Sequence, residues 1–115
     1  MEACSSIRVA GLFIYPVKSC AGIAVDRLEL SARGISGDRR FMVVGPDGAF
    51  ITQRQVPAMA WIQPSWVDGC LQLSFPGHAP VIAGAAGTME VQVWRDRVVG
   101  QDCGDDVANW LSAVL

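Results

Sequence analysis

Several features that mark common functional classes are scarce in this 115-residue sequence. It has one His and four Cys, and no two Cys stand in a C-x-x-C spacing, so the close ligand pairs of a structural zinc site are missing. Charged residues form only 17% of the chain and the formal net charge is -2, which leaves no basic excess to neutralise nucleic-acid phosphates. These shortages argue against zinc binding and against nucleic-acid binding.

Long apolar runs and export signals are also missing. Residues 9–17 are apolar, but this segment is too short to span a bilayer, and it lacks the cationic cluster and small-residue cleavage site of a secretory signal. The cysteines are too widely spaced to suggest a disulfide framework: they are Cys4, Cys20, Cys70 and Cys103. We therefore expect a reduced, cytoplasmic protein that makes no membrane contact.

Apolar residues, by contrast, are abundant. They form 51% of the chain, and its length suits a single domain that buries a core without disulfides or a structural metal. Two interpretations fit this composition. Either the core is large, or part of the apolar surface meets another domain or subunit.

Short strands separated by Gly, Pro and Asp-Gly turns dominate the sequence pattern. Apolar and polar residues alternate cleanly over Cys70–Phe75, between the turn dipeptides Asp68-Gly69 and Pro76-Gly77. Hairpins are predicted around Asp47-Gly48 and Arg95-Asp96. The other predicted strands cover residues 7–15, 25–31, 40–44, 49–53, 89–94 and 97–103, while 81–86 is compatible with a strand or a loop.

The C-terminal segment shows the clearest helical pattern. Gly104 and two acidic residues provide a helix start, and the apolar positions that follow recur at helical spacing: Val107, Trp110, Leu111, Val114 and Leu115. A short helix is also predicted over residues 56–62, with Pro57 in its first turn. The expected fold is mostly β, a small antiparallel β-barrel or sandwich with a C-terminal α-helix.

A polar loop follows the first predicted strand, and its residue types suit an anion. After Tyr15 and Pro16, the chain offers the Lys18 ammonium, the Ser19 hydroxyl and free backbone N–H groups. The phosphate-binding pattern of nucleoside triphosphatases is absent from this loop. From the residues alone, the alternative is an ordinary polar loop at a barrel rim.

Two further polar segments adjoin predicted strands. In Gly37–Phe41, Arg39 or Arg40 can fork around a phosphate or carboxylate, although strand alternation lets only one of them reach a given site. The alternative for this segment is a surface ion pair with Asp38. Thr52–Gln55 is a dense run of hydrogen-bond donors that either lines a polar pocket or forms a solvated strand end.

A thiol-based site is a further alternative. Cys20 would need a base and an orienting group to act as a nucleophile, and His78, within a turn-like stretch, is the single His of the sequence. Such a role requires a depressed pKa for the Cys20 thiol. The acidic residues Asp102, Asp105 and Asp106 are explained by helix capping without a metal.

Taken in order, these segments resemble a known family, the amino-terminal β-barrel domain that precedes the MOSC domain. The family includes the amidoxime-reducing components, the bacterial YcbX-like proteins and the carboxy-terminal part of molybdenum-cofactor sulfurases. The resemblance covers nearly the whole chain, 1–115, and rests on these segments: Tyr15–Cys20, Gly37–Phe41, Thr52–Gln55, Asp68-Gly69, Val93-Trp94, Asp102–Asp105 and Asn109–Leu111.

The resemblance implies a molybdenum-cofactor site shared by two domains. Lys18 and Ser19 would contact the phosphate end of molybdopterin, and Arg39 would add a charge-assisted contact. Arg54 belongs to the same pattern and is included in the expected cofactor-binding set without an assigned contact. The cysteine that ligates molybdenum in the family lies in the MOSC domain, downstream of this region, so no catalytic residue or metal ligand is expected here, Cys20 included.

The expected function is therefore that of an accessory domain in a MOSC-type oxidoreductase or sulfur-carrier protein, without catalysis of its own. Its expected partners are a MOSC domain, in the same polypeptide or in another, and a redox partner of the complete protein. The alternatives are a standalone binding or interaction module without cofactor and a thiol-dependent enzyme built on Cys20.

Overall fold

The first part of the fold consists of short strand pairs. The structure, a computed structural model, describes residues 6–115. Strand β1 (Leu12–Ile14) pairs antiparallel with β2 (Ile23–Val25), and β3 (Leu30–Ser31) pairs with β4 (Gly34–Ile35). Strand β1 is short because Pro16, two residues beyond its end, has no N–H to extend a ladder.

A three-stranded antiparallel sheet forms the middle of the fold. It contains β5 (Gln63–Val67), β6 (Cys70–Phe75) and β7 (His78–Ile82), in that order. Asp68 and Gly69 join β5 to β6 with positive φ at both positions, as a tight two-residue hairpin requires. The bounds of β6 are those predicted from its alternating pattern.

A second long hairpin follows, formed by β8 (Thr88–Val93) and β9 (Asp96–Gln101). Val93 pairs with Asp96, so the two-residue loop is Trp94-Arg95. The sequence predicted this hairpin but placed its turn one residue later. The shift matters because it puts a bulky aromatic side chain at the first loop position.

Other strand predictions were wrong in detail. Residues 25–31 do not form one strand, and 40–44 and 49–53 form isolated bridges rather than named strands. Strand β5 was not predicted, because Pro64 interrupts its apolar pattern, and β7 was taken partly for a turn around His78. Of the predicted strand 7–15, the ladder includes only Leu12–Ile14.

The mostly β class with a C-terminal α-helix is confirmed, but the four sheets of residues 6–115 do not close into the expected barrel. Single bridges replace continuous ladders between the small sheets. Pro16 and Pro46 adjoin these bridges and cannot donate to a ladder. The bridged pairs are Val17 with Phe41, Val44 with Phe50, and Ala49 with Gln92.

Two helices complete the described part of the fold. A 3₁₀ helix covers Pro57–Trp61, with Pro57 at its start as predicted, and α1 covers Asp105–Val114. Gly104 is the N-cap residue of α1, and a hydrogen bond of 2.7 Å from Trp110 Nε1 to the Ala79 carbonyl fixes the helix to β7. Within residues 6–115, no helix has the length and apolarity needed to cross a membrane.

The core joins the loop after β1 to the central sheet, the 3₁₀ helix and α1. Its buried members are Val17, Cys20, Val43, Met59, Ile62, Leu71, Leu73 and Val107. The radius of gyration is 16.2 Å, against about 13 Å for a compact domain of this size. The shape is elongated, with extents of 54 × 36 × 30 Å, and large apolar side chains such as Leu30, Trp61 and Val99 remain exposed.

Gly48 connects the segment 43–51 to the β8–β9 hairpin. Its carbonyl accepts a hydrogen bond of 2.9 Å from Gln92 N, and its φ is +81°. A Cβ at this position would lie 2.9 Å from the Glu90 carbonyl oxygen, a backbone atom that cannot move aside cheaply. Gly77 has nearly the same φ, +78°, but a Cβ added there would meet no atom of the described chain within 4 Å.

We expect Gly48→Ala to destabilise the fold more than Gly77→Ala. Gly77→Ala adds only the strain of an L-residue at positive φ, about 1 kcal/mol, whereas Gly48→Ala adds a backbone clash and should cost about 2–4 kcal/mol. Urea denaturation of both variants measures the difference in unfolding free energy. Equal losses would show that the contact between Gly48 and β8 does not constrain the fold.

Candidate functional site

A groove of about 620 Å³ opens beside the loop that follows β1. Two of the lining residues are cations and none is a carboxylate. The electrostatic potential of the groove therefore favours anions. The lining residues are Lys18, Ser19, Phe50, Thr52, Gln53, Arg54, Gln55 and Trp94. The groove thus contains three of the four expected cofactor-binding residues: Lys18, Ser19 and Arg54.

The loop that carries Lys18 and Ser19 is anchored by the core on both sides. Val17 is 2% exposed and Cys20 is 1% exposed, and the Cys20 N–H donates to the Val17 carbonyl at 3.1 Å. These four residues form a tight turn, with Ser19 at φ +70°. The two buried ends leave the two middle side chains to line the groove.

The segment Gly37–Phe41 lies directly against this loop. Lys18 N–H donates to the Phe41 carbonyl at 3.0 Å, and Phe41 N–H donates to the Pro16 carbonyl at 3.0 Å. Arg39 N–H donates to the Tyr15 carbonyl at 2.7 Å. The backbone therefore brings together two segments that are well separated in the sequence.

The segment Thr52–Gln55 is fixed by its own glutamines. Gln53 Nε2 donates to the Ser19 carbonyl at 2.7 Å, and Gln55 Oε1 accepts from Thr52 N–H at 3.0 Å. Both amides therefore have structural partners. Arg54 is exposed and, among residues 6–115, has no carboxylate within ion-pair distance.

Lys18 contacts aromatic rings. Its Nζ lies 3.9 Å from the centroid of the Phe50 ring and 4.8 Å from that of Trp94. The two rings contact each other edge to face, with centroids 5.1 Å apart. Neither aromatic residue was predicted from the sequence as part of the site, although a Trp beside a charged turn was a usable signal.

Arg39 is close to the loop but outside the groove wall. Its guanidinium pairs with Asp38 and lies 4.8 Å over the Tyr15 ring. Partial burial alone would raise the pKa of Asp38, but the Tyr15 N–H and the Arg39 guanidinium outweigh it, so the net pKa is lowered. This ion pair contributes stability above the ordinary pKa of Asp and loses it as the pH falls through the lowered pKa.

Backbone strain concentrates around the groove. Four non-glycine residues of the described chain have positive φ: Ser19, Arg39, Asp68 and Trp94. Asp68 occupies a hairpin position that suits its residue type, but Ser, Arg and Trp rarely adopt this conformation. Each costs on the order of 1–3 kcal/mol and persists because the surrounding contacts impose it, a pattern typical of functional sites.

The thiol-based alternative is contradicted by the position of Cys20. Burial raises the pKa of the Cys20 thiol to about 11, whereas a nucleophilic thiol needs a lowered one. His78 packs edge to face on Phe75, with ring centroids 5.6 Å apart. No group of three or more potential metal ligands occurs in residues 6–115.

The sequence matches a known domain family over all of the residues that the structure describes. The sequence matches the family described as the MOSC N-terminal beta barrel domain over residues 6–115. The chain belongs to this family. The match covers the anchored loop, the Arg39 segment and the groove together.

Two related proteins show how far the sequence similarity extends. A mitochondrial amidoxime reducing component 2 from Bos taurus is 34% identical over 93% of this chain, which corresponds to 34% of that protein. A molybdenum cofactor sulfurase from Drosophila grimshawi is 37% identical over 90% of this chain and 15% of its own length. The chain thus spans about a third of the first relative and about a seventh of the second.

We expect Cys20 to resist alkylation in the folded protein while Cys70, which is exposed, reacts. At pH 8 the raised pKa leaves Cys20 with roughly 100-fold less thiolate than an ordinary thiol, and burial slows it further. Iodoacetamide labelling followed by peptide mass spectrometry measures both rates, with urea-unfolded protein as the control. Equal labelling of the two thiols in folded protein would contradict the burial of Cys20.

Proposed function

We propose that this domain holds the phosphate end of the molybdenum cofactor for a MOSC domain located in the same polypeptide or in another. The single observation that carries the proposal is the groove that contains Lys18, Ser19 and Arg54 and whose lining is free of carboxylates. Charge-assisted hydrogen bonds from ammonium and guanidinium groups are the strongest contacts that a protein offers to a phosphate. Membership of the MOSC N-terminal family supports this choice of ligand.

The groove residues have distinct roles in this proposal. Lys18 supplies a compact charge, Ser19 supplies a hydroxyl, and the Arg54 guanidinium can bind two phosphate oxygens at once. Arg39 supplies a second guanidinium from the neighbouring segment. Because Arg39 is paired with Asp38, its charge is partly neutralised and its contribution should be smaller.

The donor set fits the phosphate of the cofactor and not its metal. The Cys20 thiol is buried in the core, and the groove lining contains no His, Cys or carboxylate. When bound, the cofactor supplies the molybdenum chemistry of the complete protein, either reduction or sulfur transfer. The residues of this chain bind and orient the anionic end, and the metal ligand comes from the MOSC partner.

The exposed apolar surface of the fold supports a second domain as partner. Large apolar side chains remain exposed, among them Leu30, Trp61 and Val99, and such surfaces commonly mark interfaces. The relatives are several times longer than this chain, so they have room for a further domain. In this proposal residues 1–115 form one accessory domain of an oxidoreductase or sulfur-carrier protein, which also meets a redox partner.

We expect Lys18→Ala and Arg54→Ala each to weaken cofactor binding at least about tenfold, because each removes a charge-assisted phosphate contact. Arg39→Ala should have a smaller effect. The measurement is the amount of molybdenum cofactor retained by the chain, with and without a MOSC domain added in trans, across a cofactor titration.

Arg27→Ala is the matched control, because Arg27 is exposed and lies outside the groove lining. Its cofactor binding should equal that of the wild type. If Lys18→Ala and Arg54→Ala also bind like the wild type, the groove is not the phosphate site.

A standalone interaction module is the second candidate function, and the exposed apolar side chains favour it. It predicts association with a protein partner and no affinity for the cofactor. The same experiment separates the two functions, because a chain that binds neither cofactor nor MOSC domain does not carry the chemistry of the family.

A further inference from the structure

Lys18 has an unusual environment for a surface cation. It is the only Lys among the 115 residues of the sequence. Its Nζ lies within cation–π distance of both Phe50 and Trp94, and no carboxylate of the described chain is within ion-pair distance. Two aromatic rings therefore contact the Lys18 ammonium, and no carboxylate within residues 6–115 neutralises its charge.

We propose that Phe50 and Trp94 are positioning residues that hold the Lys18 ammonium at the mouth of the groove, ready for an anion. A free lysine side chain has many rotamers, and ordering it on binding weakens affinity. Rings that order the side chain beforehand remove that cost. Because the rings carry no net charge, the full charge of Lys18 remains available to the ligand.

The backbone of Trp94 supports a specific role for this ring. Trp94 is 71% exposed, so its ring is not placed by burial, and its φ is +56°. The first position of a two-residue hairpin loop is ordinarily Gly, Asn or Asp when φ is positive. A bulky aromatic at this strained position gains its contacts from Phe50 and Lys18.

The contact between the segment 43–51 and the β8–β9 hairpin sets the distance between the rings. Phe50 lies on the segment 43–51, and Trp94 lies at the tip of the β8–β9 hairpin. Ala49 bridges to Gln92, and Gln92 N–H donates to the Gly48 carbonyl at 2.9 Å. Backbone contacts one to two residues from each ring therefore hold the two rings together.

The inference rests on the proposed anion site, but its first readout is independent of any ligand. Because the sequence has a single Lys, protein labelled with ¹³C-lysine gives one unambiguous set of side-chain signals. Ring currents from Phe50 and Trp94 should move the Cε protons of Lys18 upfield in the free protein. Trp94→Leu should reduce this shift, and Trp94→Phe should retain part of it.

The control variant is Trp61→Leu, because Trp61 is 67% exposed and lies outside the groove. It should leave the Lys18 signals unchanged. Circular dichroism and urea midpoints identify any variant that loses its fold, and Trp94→Phe provides a second, milder test. An unchanged Lys18 shift in a folded Trp94→Leu protein would overturn the proposed positioning.

The second readout is titration with inorganic phosphate, followed through the same Lys18 signals. Trp94→Leu should weaken phosphate binding by about threefold to tenfold. The affinity of Trp94→Phe for phosphate should lie between those of Trp94→Leu and the wild type. Equal or tighter binding by Trp94→Leu would overturn the proposal, since the rings would then compete with the anion. If wild-type protein binds no phosphate, the proposed anion site fails, while the ring-current shift still decides whether the rings hold Lys18.

Discussion

The burial of Val17 and Cys20 is the constraint on which the groove depends. These two side chains enter the core three residues apart, so the chain between them must turn sharply. Lys18 and Ser19 are thereby directed away from the core. The backbone of the same turn donates a hydrogen bond from Lys18 N–H to the Phe41 carbonyl and accepts one from the Gln53 amide at the Ser19 carbonyl. The burial of these two apolar side chains thus organises a polar site, and it also explains why Cys20 is structural.

The two cations near this turn, Arg39 and Lys18, have opposite kinds of partner. Arg39 is neutralised by Asp38 and rests against Tyr15, which stabilises the end of β1 more than it prepares a ligand site. Lys18 contacts two rings and, among the residues that the structure describes, no acid, so it keeps its charge. An acidic partner for Lys18 would fix the side chain equally well but would repel an anion. Aromatic partners therefore order the Lys18 side chain and leave the electrostatic potential of the groove positive.

The elements whose pattern is local could be predicted from the sequence. Strand β6 alternates between two turn dipeptides, and α1 has both a start signal and an apolar stripe. The ladders around Phe41 and the segment 43–51 were overestimated, because single bridges cannot be distinguished from strands in an apolar run. Phe50 and Trp94 were missed because their contact depends on how the segment 43–51 packs against the β8–β9 hairpin. Of the two, only Trp94 had a local signal, its place beside a charged turn.

The strained turns have a consequence for how this domain can change. Replacing Ser19 or Trp94 by Gly would relieve positive φ, yet each exchange would delete a side chain that lines the groove. Selection for robustness and selection for ligand binding therefore oppose each other at these positions. Variants that carry glycine at these positions should keep the turns and lose the groove chemistry.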